Sequence, residues 1–221
     1  YYAEIARFDE TVGVLLDCLA TKRLWDETLI VFVSDNGFRP SREHPERQDQ
    51  RSKLTGFEDG LRTPILLRWD GRFLPAEHSQ LVHTIDIVPS ILSAVGLADE
   101  ITPRMKGVDL VPSARGLEPL GDRPVFGAIY PNDADRLDAP SAHVRGRWIR
   151  NGHYKLLVPG PADNPVSLSL FDLAEDPLEQ HNLAAVPAHA ERVNALRSLL
   201  DNWWAEGDDQ PVTKRSGWDE E

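Results

Sequence analysis

Asp35 and Asn36 stand side by side directly after an apolar run, with Gly37 behind them. Two adjacent oxygen-bearing side chains suit a hard cation such as calcium or magnesium better than zinc. Gly37 lets the chain turn sharply after them. The same three residues are also an ordinary turn sequence. Further along, Lys53 offers an ammonium group that would return to the same crevice and meet an anion. A solvated surface lysine is the plain alternative. His44, between them in sequence, would either approach a substrate or remain a solvated loop side chain. Glu58 with Arg62 would form an i,i+4 ion pair or a loop-ordering contact, structural either way. Cys18 is the single cysteine, so an internal disulfide is excluded, and its apolar neighbours predict a small core or boundary residue.

These side chains need a frame. Tyr1, Ile5, Phe8, Val12, Leu15 and Leu19 recur at spacings of three and four, which predicts an amphipathic helix over residues 1–23. Thr28 to Val33 is an unbroken apolar run with β-branched residues, read as a strand buried on both faces in a parallel sheet. In open α/β sheets ligands bind at the carboxyl ends of strands, where Asp35 and Asn36 would then project. Residues 38–62 are charged and broken by Pro40, Pro45, Gly56 and Gly60, a long loop of the kind that is commonly functional. Pro64–Trp69 reads as a second strand, and a helix capped by Thr84 runs to about Val95 and closes at Gly96.

After residue 100, Pro and Gly punctuate residues 103–122. Short strands follow at Val125–Tyr130, His143–Ile149, Tyr154–Val158 and Ser167–Asp172, with Asn151-Gly152 as a hairpin signal. Val186–Trp204 predicts a last helix, with a frayed acidic tail after Gly207. The Glu-Asp-Pro-Leu-Glu run at 175–179 reads as a turn without chemistry. The pattern is an α/β domain over residues 1–100 and a smaller α+β subdomain over residues 101–221, a short antiparallel sheet plus a terminal helix.

The net charge of −12 argues against nucleic acid, which calls for a basic stripe. It leaves room for an anionic substrate in a locally positive pocket. Nothing approaches the roughly 18 consecutive apolar residues of a membrane helix. The chain opens on Tyr1-Tyr2 inside a helical pattern, which gives the expectation of a break within a longer protein.

Four ordered segments resemble the second half of a type I sulfatase domain. They are LIVFVSDNG at 29–37 followed by Lys53 and FEDGLRTPILLRW at 57–69, the opening helix YYAEIARFDETVGVLLDCL, HTIDIVPSILSAVGL at 83–97, and LFDLAEDPLEQHNLA at 170–184. The resemblance implies an alkaline-phosphatase-like α/β sheet flanked by helices, with a small C-terminal subdomain. It implies that Asp35 and Asn36 ligate one calcium ion, and that Lys53 contacts the sulfate as a catalytic and substrate-binding residue. The substrate it implies is a sulfated small molecule or glycan. In the family the nucleophile is a formylglycine made from Cys or Ser within a Cys/Ser-x-Pro-Ser-Arg motif upstream of the Asp-Asn pair.

That motif is absent from this chain. Phe38-Arg39-Pro40-Ser41-Arg42 mimics it on the wrong side of Asp35, with Phe where the modified residue belongs. The expectation is therefore a sulfuric ester hydrolase fragment that is inactive alone. The alternatives are a non-catalytic remnant or binding module, and a phosphodiesterase of the same superfamily. His143, Arg147, Arg150, His153 and Lys155 fall on the expected hairpin, which in sulfatases borders the substrate cleft. They would tune substrate recognition or form a solvated strand face. His83 reads as structural, and Trp203 and Trp204 as packing residues.

Overall fold

The structure, a computed structural model, describes residues 2–43, 47, 49–130, 140–161 and 166–204. The chain divides into two compact units that interleave in sequence. The first joins residues 1–34 to 64–121, and the second joins residues 35–63 to 122–221.

In the first unit, α1 (Tyr2–Lys22) follows from the three-four spacing of its apolar residues. No α1 residue is buried, however, and Cys18 is exposed rather than a core residue. Phe8 still meets Phe32 of the following strand, with ring centroids 6.2 Å apart. That strand, β1 (Ile30–Val33), pairs antiparallel with β2 (Ile65–Arg68), Val31 opposite Leu67. The expected parallel partner is not found among the described residues, and Phe32 and Val33 are exposed. An apolar run fixes hydrophobicity but neither the partner nor its direction.

Helix α3 (Ile87–Ala94) enters through a 3₁₀ turn at Thr84–Asp86. The cap is His83 rather than Thr84. Its Nδ1 accepts from the Ile85 N–H at 3.2 Å, and the Asp86 carboxylate accepts from the His83 N–H at 2.7 Å. This reciprocal pair moves the boundary by one residue. Buried Asp86 also accepts from the Val108 N–H at 2.8 Å, and buried Ser90 Oγ accepts from the Leu110 N–H at 2.9 Å. These bonds pin the segment leading into α4 (Val111–Ala114).

In the second unit, α2 (Glu58–Leu61) is a single turn in the long loop. An antiparallel meander follows, made of β3 (Val125–Ile129), β4 (Gly146–Asn151), β5 (Tyr154–Pro159) and β6 (Ser169–Asp172) in chain order. Asn151 opposes Tyr154, so the tight turn is Gly152-His153, with Gly152 in the left-handed region at φ +59°. Helix α5 (Ala190–Trp203) packs on the sheet, and Val193, Leu196 and Leu200 meet Ile149, Leu156, Val158 and Leu170 in one buried cluster. Trp203 stacks on Phe126, their centroids 5.3 Å apart, as a packing residue should. The tail after Gly207 lies outside the described residues. Among the described residues no helix is long and apolar enough to cross a membrane.

Candidate functional site

Asp35 and Asn36 open the second unit, immediately before the buried Gly37. The Asp35 carboxylate is exposed, and its Oδ1 accepts from the Asn36 N–H at 2.9 Å. Asn36 is half-buried and donates through Nδ2 to Gly37 O at 2.8 Å. That bond assigns its donor side. A side chain at residue 37 would collide with the backbone, because a Cβ there would lie 2.6 Å from Asp59 O. Glycine is thus required where the Gly37 N–H donates to Gly60 O at 2.9 Å.

Lys53 lies on the return of the same loop and is half-buried, next to the fully buried Ser52. The Arg39 N–H donates to Ser52 Oγ at 2.6 Å, so the segment after Asn36 is bonded directly to the residue before Lys53. Arg39 holds the loop a second way. Its guanidinium pairs with Asp59 at 2.5 Å and Asp49 at 3.2 Å. The motif look-alike at 38–42 is thereby part of the loop's internal bracing. Gly60 packs so closely on this stretch that a Cβ would meet Ser52 O at 2.2 Å. His44 lies outside the described residues.

Of the two readings of Glu58, the loop-ordering contact is the one seen, with partners far along the chain in place of Arg62. Glu58 Oε2 accepts from Arg150 Nη1 at 2.9 Å, and Glu58 Oε1 from Lys155 Nζ at 3.0 Å. Lys155 is fully buried and also pairs with Glu179. Burial pushes the Glu179 carboxyl up from its ordinary value, with Lys155 opposing. Arg147 is buried as well, donating to Trp204 O at 2.7 Å and pairing with Asp201 at 2.8 Å. Neither basic residue is therefore on a solvated strand face. The turn at 175–179 conceals the buried Glu179, whose importance only its internal partners reveal.

As to a metal, the donors are of the right kind and too few. Asp35 and Asn36 offer two hard oxygens, whereas calcium takes roughly six to eight. Among the described residues no group of three or more His, Cys, Asp or Glu side chains could hold an ion. The pair fits as part of a ligand set.

Residues 1–97 match the family model for sulfatases. Choline-sulfatase of Rhizobium meliloti is 32% identical over 192 residues, covering 85% of this chain and 33% of the relative. Human arylsulfatase A is 28% identical over 219 residues, covering 88% of this chain and 41% of the relative. The chain thus spans about a third to two fifths of the length of these relatives. Among solved structures, YidJ of Bacteroides fragilis, described as a sulfatase, aligns with TM-score 0.76 and 24% identity over 95% of this chain and 42% of that one. The phosphonate monoester hydrolase of Agrobacterium radiobacter aligns with TM-score 0.66 and 24% identity over 88% of this chain and 40% of that one. The α/β fold expected from the resemblance, that of the alkaline-phosphatase-like enzymes, is the fold observed.

Proposed function

Since this chain is a relative of the sulfatases, we propose that it supplies one side of the active site of a sulfuric ester hydrolase. In this reading Asp35 and Asn36 contribute two oxygen ligands to a calcium ion whose remaining ligands come from elsewhere in the protein. Calcium bound there would withdraw charge from sulfate oxygens as the ester bond breaks.

Lys53 holds the sulfate. Its ammonium donates hydrogen bonds and places a positive charge against oxygens that gain negative charge in the transition state. The tight turn at Gly37, and the Arg39–Ser52 bond that ties the residue before the lysine to the chain just after that turn, support this reading. His44, on the same loop, is a substrate-side residue. The substrate is a sulfated small molecule or glycan, in keeping with relatives named for choline sulfate and aryl sulfates. The chain contains no Cys/Ser-x-Pro-Ser-Arg motif, so we assign the nucleophile to another part of the gene product and no activity to these 221 residues alone.

The observation that carries the reading is the bond from the Arg39 N–H to Ser52 Oγ, which ties the Asp35–Asn36 turn to the Lys53 segment. Two experiments test it. Sequencing the coding region upstream of Tyr1 should find Cys-x-Pro-Ser-Arg or Cys-x-Ala-x-Arg, whereas an immediate stop codon would favour a non-catalytic remnant. The purified chain should release no sulfate from an aryl sulfate. Release that disappears in Asp35→Ala would overturn its assignment as an incomplete site.

A further inference from the structure

The ion cluster around Lys155 takes no part in the chemistry above, yet it anchors the loop on which that chemistry would sit. A fully buried ammonium group is tolerated only when paired. Lys155 is held between Glu58 of the loop, at 3.0 Å, and Glu179 of the C-terminal segment. The Glu58 N–H donates to Glu179 Oε2 at 2.7 Å, so one carboxylate serves both the lysine and the first residue of α2. Arg51 reaches the same point. Its guanidinium donates to the carbonyls of Leu178, at 3.2 Å, and Glu179, and it lies 4.0 Å from the centre of the Phe57 ring. Phe57 in turn meets Phe171 of β6, their centroids 5.9 Å apart.

Arg51 precedes Lys53 and Glu58 follows it, so both ends of the segment converge on Glu179. Glu179 has a left-handed backbone at φ +55°, uncommon for a side-chain-bearing residue and maintained only where the surroundings impose it. Between the anchors, Gly56 packs so closely on the sheet that a Cβ would lie 2.8 Å from a Leu157 methyl. Beyond them, Gly60 O accepts from the Gly37 N–H at 2.9 Å and passes the constraint to the Asp35–Asn36 turn. Stability alone does not call for ions here, because hydrophobic residues of similar volume often replace a buried ion pair without loss. Directed bonds to two separated points of a loop do call for them.

We propose that Lys155 is a positioning residue which, with Glu58 and Glu179, fixes the 51–58 segment carrying Lys53 and, through Gly60, the Asp35–Asn36 turn. The purpose given to that positioning rests on the proposed sulfatase reading. The positioning itself does not.

Amide hydrogen exchange in the 221-residue chain tests it. The N–H groups of Gly37 and Arg39, which bond Gly60 O and Ser52 Oγ, report on the loop, and those of Leu170, bonded to Asn182 Oδ1 at the edge of the sheet, and of Leu200 in α5 report on the rest of the unit. In Lys155→Met, exchange at Gly37 and Arg39 should accelerate about tenfold beyond any change at Leu170 and Leu200. The Asn36 side-chain amide resonance should shift with it, a local signature that a purely stabilising lysine would not produce. Equal acceleration at all four sites, or none at the first two, overturns the proposal. If Lys155→Met does not fold, Glu58→Gln is judged by the same two outcomes. Lys53→Ala in the complete gene product separates the questions. Sulfate-ester hydrolysis that survives it removes the sulfatase role of Lys53, while the exchange result still decides the positioning.

Discussion

In the C-terminal sheet and α5, Ile149, Leu156, Leu170 and Leu200 have essentially no exposed surface. On α1, in the other unit, Leu15 keeps 60% of its surface and Val14 70%. The first region encloses an apolar core between four strands and a helix. In the second, the best-buried side chains include Asp86 and Ser90, whose bonds to backbone pin one segment to another. The sheet and α5 are organised by burial, whereas the first unit leans on directed polar bonds, as the loop at 35–63 does, so substitutions should be felt very differently in the two kinds of region.

The largest effect should come from Leu156→Ala, which opens a cavity in the closed core. A loss of roughly 2–5 kcal/mol is expected, measured as a shift of the urea midpoint of the second unit. Gly60→Ala should come next, because the new methyl group would press on Ser52 O. About 1–3 kcal/mol is expected from such overpacking, with the Gly37 amide losing protection before the sheet does. If the two variants changed all amides alike, the loop and the sheet would be a single cooperative element.

Two carboxyl groups of the second unit should respond to pH in opposite senses. The Arg51 N–H draws the Asp49 carboxyl below its ordinary 3.8, against burial and with help from Arg39. Its bracing of the loop is therefore complete above that pH and is lost as pH falls through the depressed value. Burial raises Glu179 above its ordinary 4.5. Ionising it therefore costs more in the folded chain than in the unfolded one, so this linkage lowers stability as pH rises from 4.5 through the raised value, although the ionised form is the one that pairs with Lys155. Carbon-13 NMR titration of the two carboxyls should find them moved apart in these directions. The smallest effect is expected from Leu15→Ala on α1, within about 0.5 kcal/mol of the parent by urea unfolding, as for an exposed side chain without special contacts. A loss comparable to that of Leu156→Ala would erase the contrast.

The parts of the molecule written in local patterns were legible from the sequence. The periodicity of α1, the apolar runs of β1 and β2, and the meander ending in a helix all follow from hydrophobic spacing. So did the family resemblance, because each of its motifs is a short contiguous segment. What was not legible depends on partners distant in sequence. The antiparallel pairing of β1 with β2 was hidden because an apolar run does not name its neighbour. Lys155 and Arg147 sat on a strand where charge ordinarily means solvent, and only the carboxylates that meet them account for their burial. Glu179 lay in what read as a featureless turn. Its tie to Glu58 crosses more than half the chain.

The interleaving of the two units bears on any attempt to isolate the loop. A recombinant piece ending at residue 100 would retain Asp35, Asn36 and Lys53 but leave behind Arg150, Lys155 and Glu179, which belong to the same compact unit as that loop. Glu58 would then lose its counterions and the Arg51 side chain its carbonyl acceptors. Limited proteolysis should nick such a piece between residues 51 and 58 faster than it nicks the longer chain, in which Arg51 and Glu58 are anchored.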